Sequence, residues 1–323
     1  MKAAVIDHKG VVPQYTDFPE PIPQNEDEII MYVKAAAIKH LDKSVASGKH
    51  YSSNQDAVSA KIIGGDGVGL LPDGTRVFAI GMGGMAAEKA IIRKDSIVKI
   101  PDVLDDVTAA ALPNAVAGSA MALRFRALMK EGETVLINGA TGVTGTIAVQ
   151  IARHYGAKRI IVTGRNEQSL TALQLLGADE IVSLQQSEES FTAQLKAIHQ
   201  TTPVDIVLDY LWGRPAELVL SALKGKGSFT HRTRYISIGS MAGDNVQLSA
   251  EILRSTDLQL SGSGLGSWTK EEMRYLFTAI LPEMFELAEK KQLIIETISL
   301  RLRDVDQVWN IQVPSGKRLV VTI

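Results

Sequence analysis

The sequence predicts an α/β protein in which a doubly wound parallel sheet is combined with a second, β-rich domain. Strand-like and helix-like segments alternate from residue 134 to residue 239, whereas residues 1–100 contain only short apolar or alternating runs. Strands that alternate with helices of about 10–15 residues indicate a parallel sheet. A chain of 323 residues is long enough for two domains.

The first hundred residues favour a barrel-like β domain. Their short runs include KAAVIDHKG, EIIMYVKAAAI, TRVFAI and AEKAIIRK, and turn-forming segments such as PEPIPQNED and LPDG separate them. Residues 105–130 change to an Ala- and Leu-rich composition, which predicts two helices.

The alternating part predicts five strands, and each of the first four is followed by a helix. These strands are TVLIN, RIIVTG, DEIVSL, VDIVLDYL and RYISIG. The segment at 225–234, GKGSFTHRTR, is interpreted as a surface insertion before the last of them. After LQLSGSGLG the pattern becomes helical and then ends in strand-like TISLRL and RLVVTI. We expect this tail to complete the first domain rather than to extend the parallel sheet.

Composition excludes several classes of function. The net charge of −2 gives no basic excess for nucleic acid or an anionic membrane. No apolar run reaches the roughly 18–20 residues of a membrane span, and residues 1–10 lack the apolar core of a signal peptide, so a cytoplasmic protein is expected. The chain has no cysteine, which excludes disulfides, thiolate zinc ligands and a cysteine nucleophile.

The stretch VLINGATGVTG at 135–145 joins an apolar strand to an amphipathic helix through a glycine-rich loop. Its glycines, Gly139, Gly142 and Gly145, have the spacing G-x-x-G-x-x-G instead of the usual G-x-G-x-x-G. Small residues let the backbone approach a pyrophosphate, and a helix N-terminus adds N–H groups. We expect Gly139 to make the tight turn, Gly142 to permit close approach and Gly145 to allow helix–sheet packing. The loop residues predicted to bind a dinucleotide are Asn138, Gly139, Ala140, Thr141, Gly142, Val143, Thr144 and Gly145.

The end of the next strand favours NADPH over NADH. An acidic residue commonly binds the ribose 2′-hydroxyl of NAD there. Here the segment is Thr163, Gly164, Arg165 and Asn166, so an arginine stands where the acid would be. An arginine can bind a 2′-phosphate in bidentate fashion, although a solvated arginine at a strand end is the alternative.

The carboxyl ends of later strands should also line the cofactor site, because ligands of parallel sheets bind at that edge. This predicts contacts from Leu211, Trp212, Gly213, Ile238, Gly239 and Ser240. Trp212 is alternatively a packing residue, and Asn114 is a weaker candidate.

Taken together, these segments resemble the medium-chain dehydrogenase/reductase superfamily, in its zinc-independent quinone oxidoreductase branch. The resemblance is carried by MKAAVIDHKG, AAAIKHLDKSVASGKHY, IIGGDGVG with DGTRV, AAALPNAVAGSAMAL, INGATGVTGTIAVQIARHYGA and SGKRLVVTI. It implies a GroES-like catalytic domain formed by residues 1–118 and 264–323. A Rossmann-type NADPH-binding domain, residues 119–263, would be inserted in it, with the nicotinamide in a cleft between the two. It also implies that Gly264 and Leu265 pass near the nicotinamide.

The zinc ligands of the related zinc-dependent branch are missing. Its cysteine and histidine positions match Lys39 and Gly65, and its proton-relay hydroxyl falls at Leu41. No metal is therefore expected. Without a Lewis acid, hydride transfer needs an acceptor that is already electrophilic, such as a quinone or a conjugated enone.

Polar assistance to the reaction is predicted from two side chains. Tyr51 resembles a tyrosine of quinone and enoyl reductases, displaced here by one residue, and could donate a hydrogen bond or a proton; the alternative is a tyrosine at the rim. Lys39 stands where the branch usually has Asn and could stabilise an anionic intermediate; the alternative is a solvated lysine. Asp42 is expected to hold local backbone or a cation.

Three hypotheses remain at this point. The first is an NADPH-dependent reductase of quinones or related conjugated carbonyls; the second is an enoyl or other alkene reductase on the same scaffold. The third is an NADPH-binding structural or regulatory protein with little turnover. The resemblance also implies a homodimer formed through an edge strand of the cofactor domain, with the RYISIG to LQLSGSG region as its interface.

Overall fold

A computed structural model of the chain describes residues 1–48, 60–225 and 231–323. The chain divides into two compact units. The first is formed by Met1–Pro113 together with Arg274–Ile323, and the second by Asn114–Met273. The domain bounds inferred from the sequence stay a prediction.

The N-terminal part of the first unit is mostly β-structure. Its elements are β1 (Lys2–Ile6), β2 (Gln14–Asp17), β3 (Glu28–Ile38), α1 (His40–Ala46), β4 (Lys61–Ile62), β5 (Asp66–Leu70), β6 (Arg76–Gly81) and β7 (Lys89–Lys99). Strand β3 pairs with both β5 and β7, and β6 joins β5 to β7. These four strands therefore form a closed ring, which confirms the barrel-like β domain.

Small residues permit the close strand contacts inside this barrel. A Cβ atom added at Gly69 on β5 would lie 2.2 Å from the carbonyl oxygen of Tyr32 on β3. The barrel core contains Met31, Val77, Met85 and Ile92, all fully buried. Buried and exposed side chains alternate from Met31 to Lys34 on β3, whereas Val77, Phe78 and Ala79 on β6 are all buried.

One helix replaces the two that were expected over residues 105–130. Helix α2 (Asp106–Met121) continues directly into a π-helical turn, Ala122–Arg126. Pro113 lies inside α2, but the helix is not interrupted, because its Ala- and Leu-rich residues are buried on several sides. The two-helix prediction is therefore wrong: burial outweighed the local breaking tendency of proline.

The second unit has the predicted doubly wound architecture. Its elements are β8 (Thr134–Asn138), α3 (Val143–His154), β9 (Arg159–Gly164), α4 (Glu167–Leu175), β10 (Glu180–Ser183), α5 (Glu188–Thr201), β11 (Ile206–Asp209), α6 (Gly213–Ala222), β12 (Thr233–Ser237), α7 (Ala250–Ser255) and β13 (Leu258–Gly262). The strand order is β10-β9-β8-β11-β12-β13, and all neighbours are parallel. The order reverses at β8, where the chain passes from one half of the sheet to the other.

The tail returns to the first unit, as expected. Helix α8 (Lys270–Tyr275) begins in the second unit, and the elements that follow it are a π-helical turn at Leu276–Ile280, α9 (Leu281–Glu289), β14 (Glu296–Arg301), α10 (Val305–Val308) and β15 (Lys317–Thr322). Strand β15 pairs with β3 and β14, so the last strands extend the sheet of the first unit. Over the three described stretches, no helix is long and apolar enough to cross a bilayer.

Candidate functional site

The carboxyl ends of the central strands of the second unit meet at one edge of its sheet. Asp209 at the end of β11 is in register with Asn138 at the end of β8 and with Ser237 at the end of β12. The next strand, β13, pairs Gly262 with Ser237. This shared edge brings together loops that are more than a hundred residues apart in the sequence.

The glycine-rich loop leaves this edge through a tight turn. Gly139 has φ +85°, a backbone conformation that favours glycine. A Cβ atom there would also lie 2.7 Å from Cγ of Leu211. At Gly145 a Cβ atom would lie 2.5 Å from Cα of Ala140, so this glycine permits the loop itself, rather than the sheet, to approach the helix. The position expected to serve helix–sheet packing thus serves the packing of α3 against the loop.

Gly142 immediately precedes α3 and faces open space. A Cβ atom at this position would meet nothing within 4 Å. Its backbone is extended, and no side chain of the described residues caps the helix that follows. The first N–H groups of α3 have no intrahelical acceptor, and the positive end of the helix dipole there favours an anion.

The segment after β9 combines a close contact with an exposed cation. A Cβ atom at Gly164 would lie 2.5 Å from Cγ2 of Thr141, so the strand end and the glycine-rich loop touch. Arg165 follows and is exposed. The side chain of Asn166 accepts a hydrogen bond of 2.8 Å from the backbone N–H of Ser169 and caps α4.

A buried polar network lies beneath these loops. The carboxylate of Asp209 accepts hydrogen bonds from Asn138 Nδ2 at 2.8 Å and from the Tyr235 hydroxyl at 2.8 Å. Asn138 Oδ1 in turn accepts one of 2.6 Å from the Thr163 hydroxyl. All four side chains are essentially inaccessible. Burial raises the pKa of Asp209, and these donors oppose the shift because they favour the ionised form.

Sequence reasoning missed Asp209 and Tyr235 as parts of this edge. Asp209 was visible as an acidic residue ending the apolar strand VLDY, which is a signal for a buried, hydrogen-bonded carboxylate. Asn138 and Thr163 were predicted to bind the cofactor, and their described side-chain contacts are with each other, with Asp209 and with the Gly139 backbone.

The turn after β11 has an unusual backbone. Trp212 adopts φ +54° and ψ −160°, a combination that is essentially restricted to glycine and costs about 1–3 kcal/mol. Its backbone N–H donates to both oxygens of Asp209 at 3.2 Å, and its indole packs edge-on against Tyr235. Gly213 follows with φ +57°, and a Cβ atom there would lie 2.8 Å from the carbonyl oxygen of Ala242.

The remaining predicted residues of this unit extend along the same edge. The backbone N–H groups of Ile238 and Gly239 donate to the carbonyl oxygen of Asp209 at 2.8 and 3.2 Å. Ser240 is exposed, and Gly264 and Leu265 follow β13 at the sheet margin. The structure therefore brings the predicted residues of the second unit to one sheet edge, whereas their contact with a cofactor stays a prediction.

In the first unit, Lys39 belongs to a buried cluster of charges. Its side chain is 3% exposed, and its Nζ lies 2.5 Å from Asp66 Oδ1 and 3.4 Å from Asp42 Oδ2. Burial alone would lower the pKa of Lys39, but attraction to Asp66 and Asp42 outweighs it and raises the pKa above its ordinary value. The alternative of a solvated lysine is therefore wrong.

Asp42 and Arg318 complete this cluster, named here the Lys39 cluster. Asp42 accepts backbone hydrogen bonds from Lys39 at 2.7 Å and from Gly65 at 3.0 Å, which agrees with its expected role. Arg318 on β15 is also buried and is attracted to both carboxylates. Two cations thus balance two carboxylates. Contact of Lys39 with a reaction intermediate stays a prediction, and Tyr51 lies outside the described residues.

No group of three or more potential ligands that could hold a metal ion occurs among residues 1–48, 60–225 and 231–323. At the position corresponding to the cysteine ligand of zinc-dependent relatives, the ammonium of Lys39 is paired with Asp66. The adjacent Gly65 offers no side-chain ligand.

Comparisons with known proteins agree with this architecture. A family model described as zinc-binding dehydrogenase matches residues 143–281. A quinone oxidoreductase of Sus scrofa is 28% identical over 273 residues, which cover 82% of this chain and 79% of the relative. A protein of Emericella nidulans, named as a probable NADPH-dependent quinone reductase, is 25% identical over 351 residues, with 96% of each chain covered.

Solved structures show the same fold over the whole chain. The quinone oxidoreductase of Escherichia coli, complexed with NADPH, has a TM-score of 0.84 at 21% identity, and the match covers 100% of both chains. The quinone oxidoreductase of Thermus thermophilus, solved alone and with NADPH, has a TM-score of 0.79 at 24% identity, again with 100% of both chains covered.

In fold and sequence, the chain is similar to the medium-chain dehydrogenase/reductase superfamily, to which the matched zinc-binding dehydrogenase family belongs. The matched residues 143–281 do not include Lys39 or Gly65, so this match carries no information about zinc ligands. Within the superfamily, the chain is similar to the quinone oxidoreductase branch.

Proposed function

We propose that this protein is a zinc-independent oxidoreductase that uses NADPH to reduce quinones or other conjugated carbonyl compounds. The observation that carries the proposal is the carboxyl edge of the parallel sheet, where the glycine-rich loop, the start of α3 and exposed Arg165 lie together. Relatives in the quinone oxidoreductase branch, including one named for NADPH, support it.

The residues at this edge fit a dinucleotide. The open space beside Gly142 and the unpartnered N–H groups at the start of α3 suit a pyrophosphate. Arg165 would bind the 2′-phosphate through its guanidinium. When bound, the nicotinamide supplies the hydride, and the protein orients the acceptor and excludes water.

The Lys39 cluster supports the proposal of a conjugated acceptor. A metal would activate an unconjugated carbonyl as a Lewis acid, but Lys39 already supplies the cation between Asp66 and Asp42. We therefore expect acceptors whose conjugation makes them electrophilic without a metal.

A turnover assay tests the proposal. The purified chain is incubated with NADPH and a panel of benzoquinones, naphthoquinones and linear enones, and oxidation is followed at the nicotinamide absorbance band. We expect turnover with quinones that is insensitive to prior dialysis against EDTA. Turnover restricted to enones would favour an alkene reductase. Binding of NADPH without turnover of any acceptor would favour a structural or regulatory protein and contradict the proposal.

Two glycine substitutions distinguish a loss of NADPH affinity from a loss of stability. We expect Gly142→Ala to leave stability unchanged within about 0.5 kcal/mol, because its Cβ meets nothing, but to weaken NADPH binding at least about fivefold. Gly145→Ala should cost about 1–3 kcal/mol of stability, because its Cβ would lie 2.5 Å from Cα of Ala140. Thermal unfolding and NADPH titration of both variants check this. An unchanged NADPH affinity of Gly142→Ala would contradict the expected position of the pyrophosphate beside Gly142.

The homodimer through the RYISIG to LQLSGSG region stays part of this proposal. The second of these segments contains β13, which forms an edge of the parallel sheet. Its Leu260 is an exposed apolar side chain, as an interface of this kind would require.

A further inference from the structure

Asp209 is the centre of the buried network beneath the sheet edge. Its carboxylate receives four donors: Asn138 Nδ2, the Tyr235 hydroxyl and the backbone N–H groups of Leu211 and Trp212. An ionised carboxylate offers an acceptor oxygen to each of these four donors. Asp209 itself is fully buried and does not face the open edge.

One arm of the network reaches the glycine-rich loop. Asp209 fixes the amide of Asn138, and Asn138 Oδ1 accepts from the Thr163 hydroxyl. The oxygen of that hydroxyl accepts the backbone N–H of Gly139 at 3.1 Å. The carbonyl oxygen of Thr163 also accepts the backbone N–H of Ala140 at 2.8 Å. The backbone N–H groups of Gly139 and Ala140 therefore attach the glycine-rich loop to Thr163.

The other arm holds the turn after β11. Leu211 and Trp212 both donate their backbone N–H groups to the carboxylate of Asp209. Trp212 also has a backbone conformation that an L residue rarely adopts. Leu211 then lies against Gly139, with its Cγ 2.7 Å from the position that a Cβ would take there. Hydrogen bonds to the carboxylate of Asp209 thus hold both the glycine-rich loop and the Leu211–Trp212 turn, and these two segments pack against each other.

We propose that Asp209 is a positioning residue for the dinucleotide, which fixes the glycine-rich loop and the Leu211–Trp212 turn without touching the cofactor. The inference rests on the proposed use of NADPH at this edge. It predicts that cofactor affinity depends on the two arms of the network, and not on the stability that the buried carboxylate confers on the unit as a whole.

The test compares variants that break different parts of the network. We expect Asp209→Ala to weaken NADPH binding about tenfold or more, because both arms lose their acceptor. Asp209→Asn keeps one oxygen for the loop donors and can turn its amide toward the Tyr235 hydroxyl, which can also accept, so it should recover most of the affinity. Tyr235→Phe is the matched control, since it removes one donor to Asp209 but keeps the ring that packs against Trp212.

NADPH affinity is measured by titration of the purified full chain, and melting temperature is measured for the same samples. A purely structural role predicts that affinity follows melting temperature across all variants. The positioning role predicts that Tyr235→Phe lowers the melting temperature with NADPH affinity kept within about twofold. If Asp209→Ala does not yield folded protein, Thr163→Val carries the test, because it cuts the link to Gly139 and should weaken NADPH about fivefold.

The outcomes separate the two proposals. Wild-type protein that binds no NADPH would overturn the proposed function and this inference together. The positioning role alone would be overturned by a different result. In that case the wild type binds NADPH, and the NADPH affinities of Thr163→Val and of any folded Asp209→Ala lie within twofold of the affinity of Tyr235→Phe.

Discussion

Replacing Lys39 with methionine is expected to lower the free energy of unfolding by about 3–5 kcal/mol. The substitution keeps the length and apolar stem of the side chain but removes the ammonium that lies 2.5 Å from Asp66 and 3.4 Å from Asp42. Two buried carboxylates would then face only Arg318 among the cations of the Lys39 cluster. Urea-induced unfolding of the wild type and the variant measures the difference.

Lys2→Met is the matched control for this prediction. Lys2 makes an ion pair of 3.0 Å with Asp17, but the two side chains are 40% and 81% exposed. Solvent screens such an exposed pair, so the same substitution should cost little there. The double variant Lys39→Met/Asp66→Asn should recover part of the loss, because a carboxylate is removed with its cation. A Lys39→Met protein no less stable than Lys2→Met would contradict the buried ion pair.

Replacing Arg165 with alanine is expected to weaken NADPH binding about 10- to 100-fold and to leave NADH affinity nearly unchanged. The reason is the 2′-phosphate, which only NADPH carries and which a guanidinium binds through charge-assisted hydrogen bonds. Arg165→Lys should give an intermediate NADPH affinity, because an ammonium keeps the charge without the bidentate geometry. Titration with both cofactors measures these affinities.

Lys158→Ala provides the control for net charge. Lys158 is also exposed but immediately precedes β9, whereas Arg165 immediately follows it, so the two lie at opposite ends of one strand. Removing Lys158 changes the charge of the protein by the same amount, yet should leave the preference for NADPH intact. An equal loss of NADPH and NADH affinity in Arg165→Ala would show that Arg165 does not select the cofactor.

Much of the second unit was predictable because its structure is local. The five predicted strands and their helices appear where the alternation placed them, and the carboxyl edge follows from parallel pairing. The two helices expected over residues 105–130 are one helix, α2, which runs through Pro113 because its residues are buried on several sides, and that burial exists only in the folded protein. The packing role of Gly145 was also predicted wrongly, because the glycine lies against Ala140 of the loop and not against the sheet.

The sequence by itself determined the alternation of strands and helices from β8 to β12, the glycine-rich loop, the arginine after β9 and the lack of cysteine ligands, because each is read from neighbouring residues or from composition. Only the tertiary structure decided that Lys39 is a buried ion-pair partner and that Asp209 anchors two loops. Lys39 is 27 residues from Asp66, and Asn138 is 71 residues from Asp209. The behaviour of a buried charge depends on the dipoles and charges around it, and strand register, not chain order, brings those groups together.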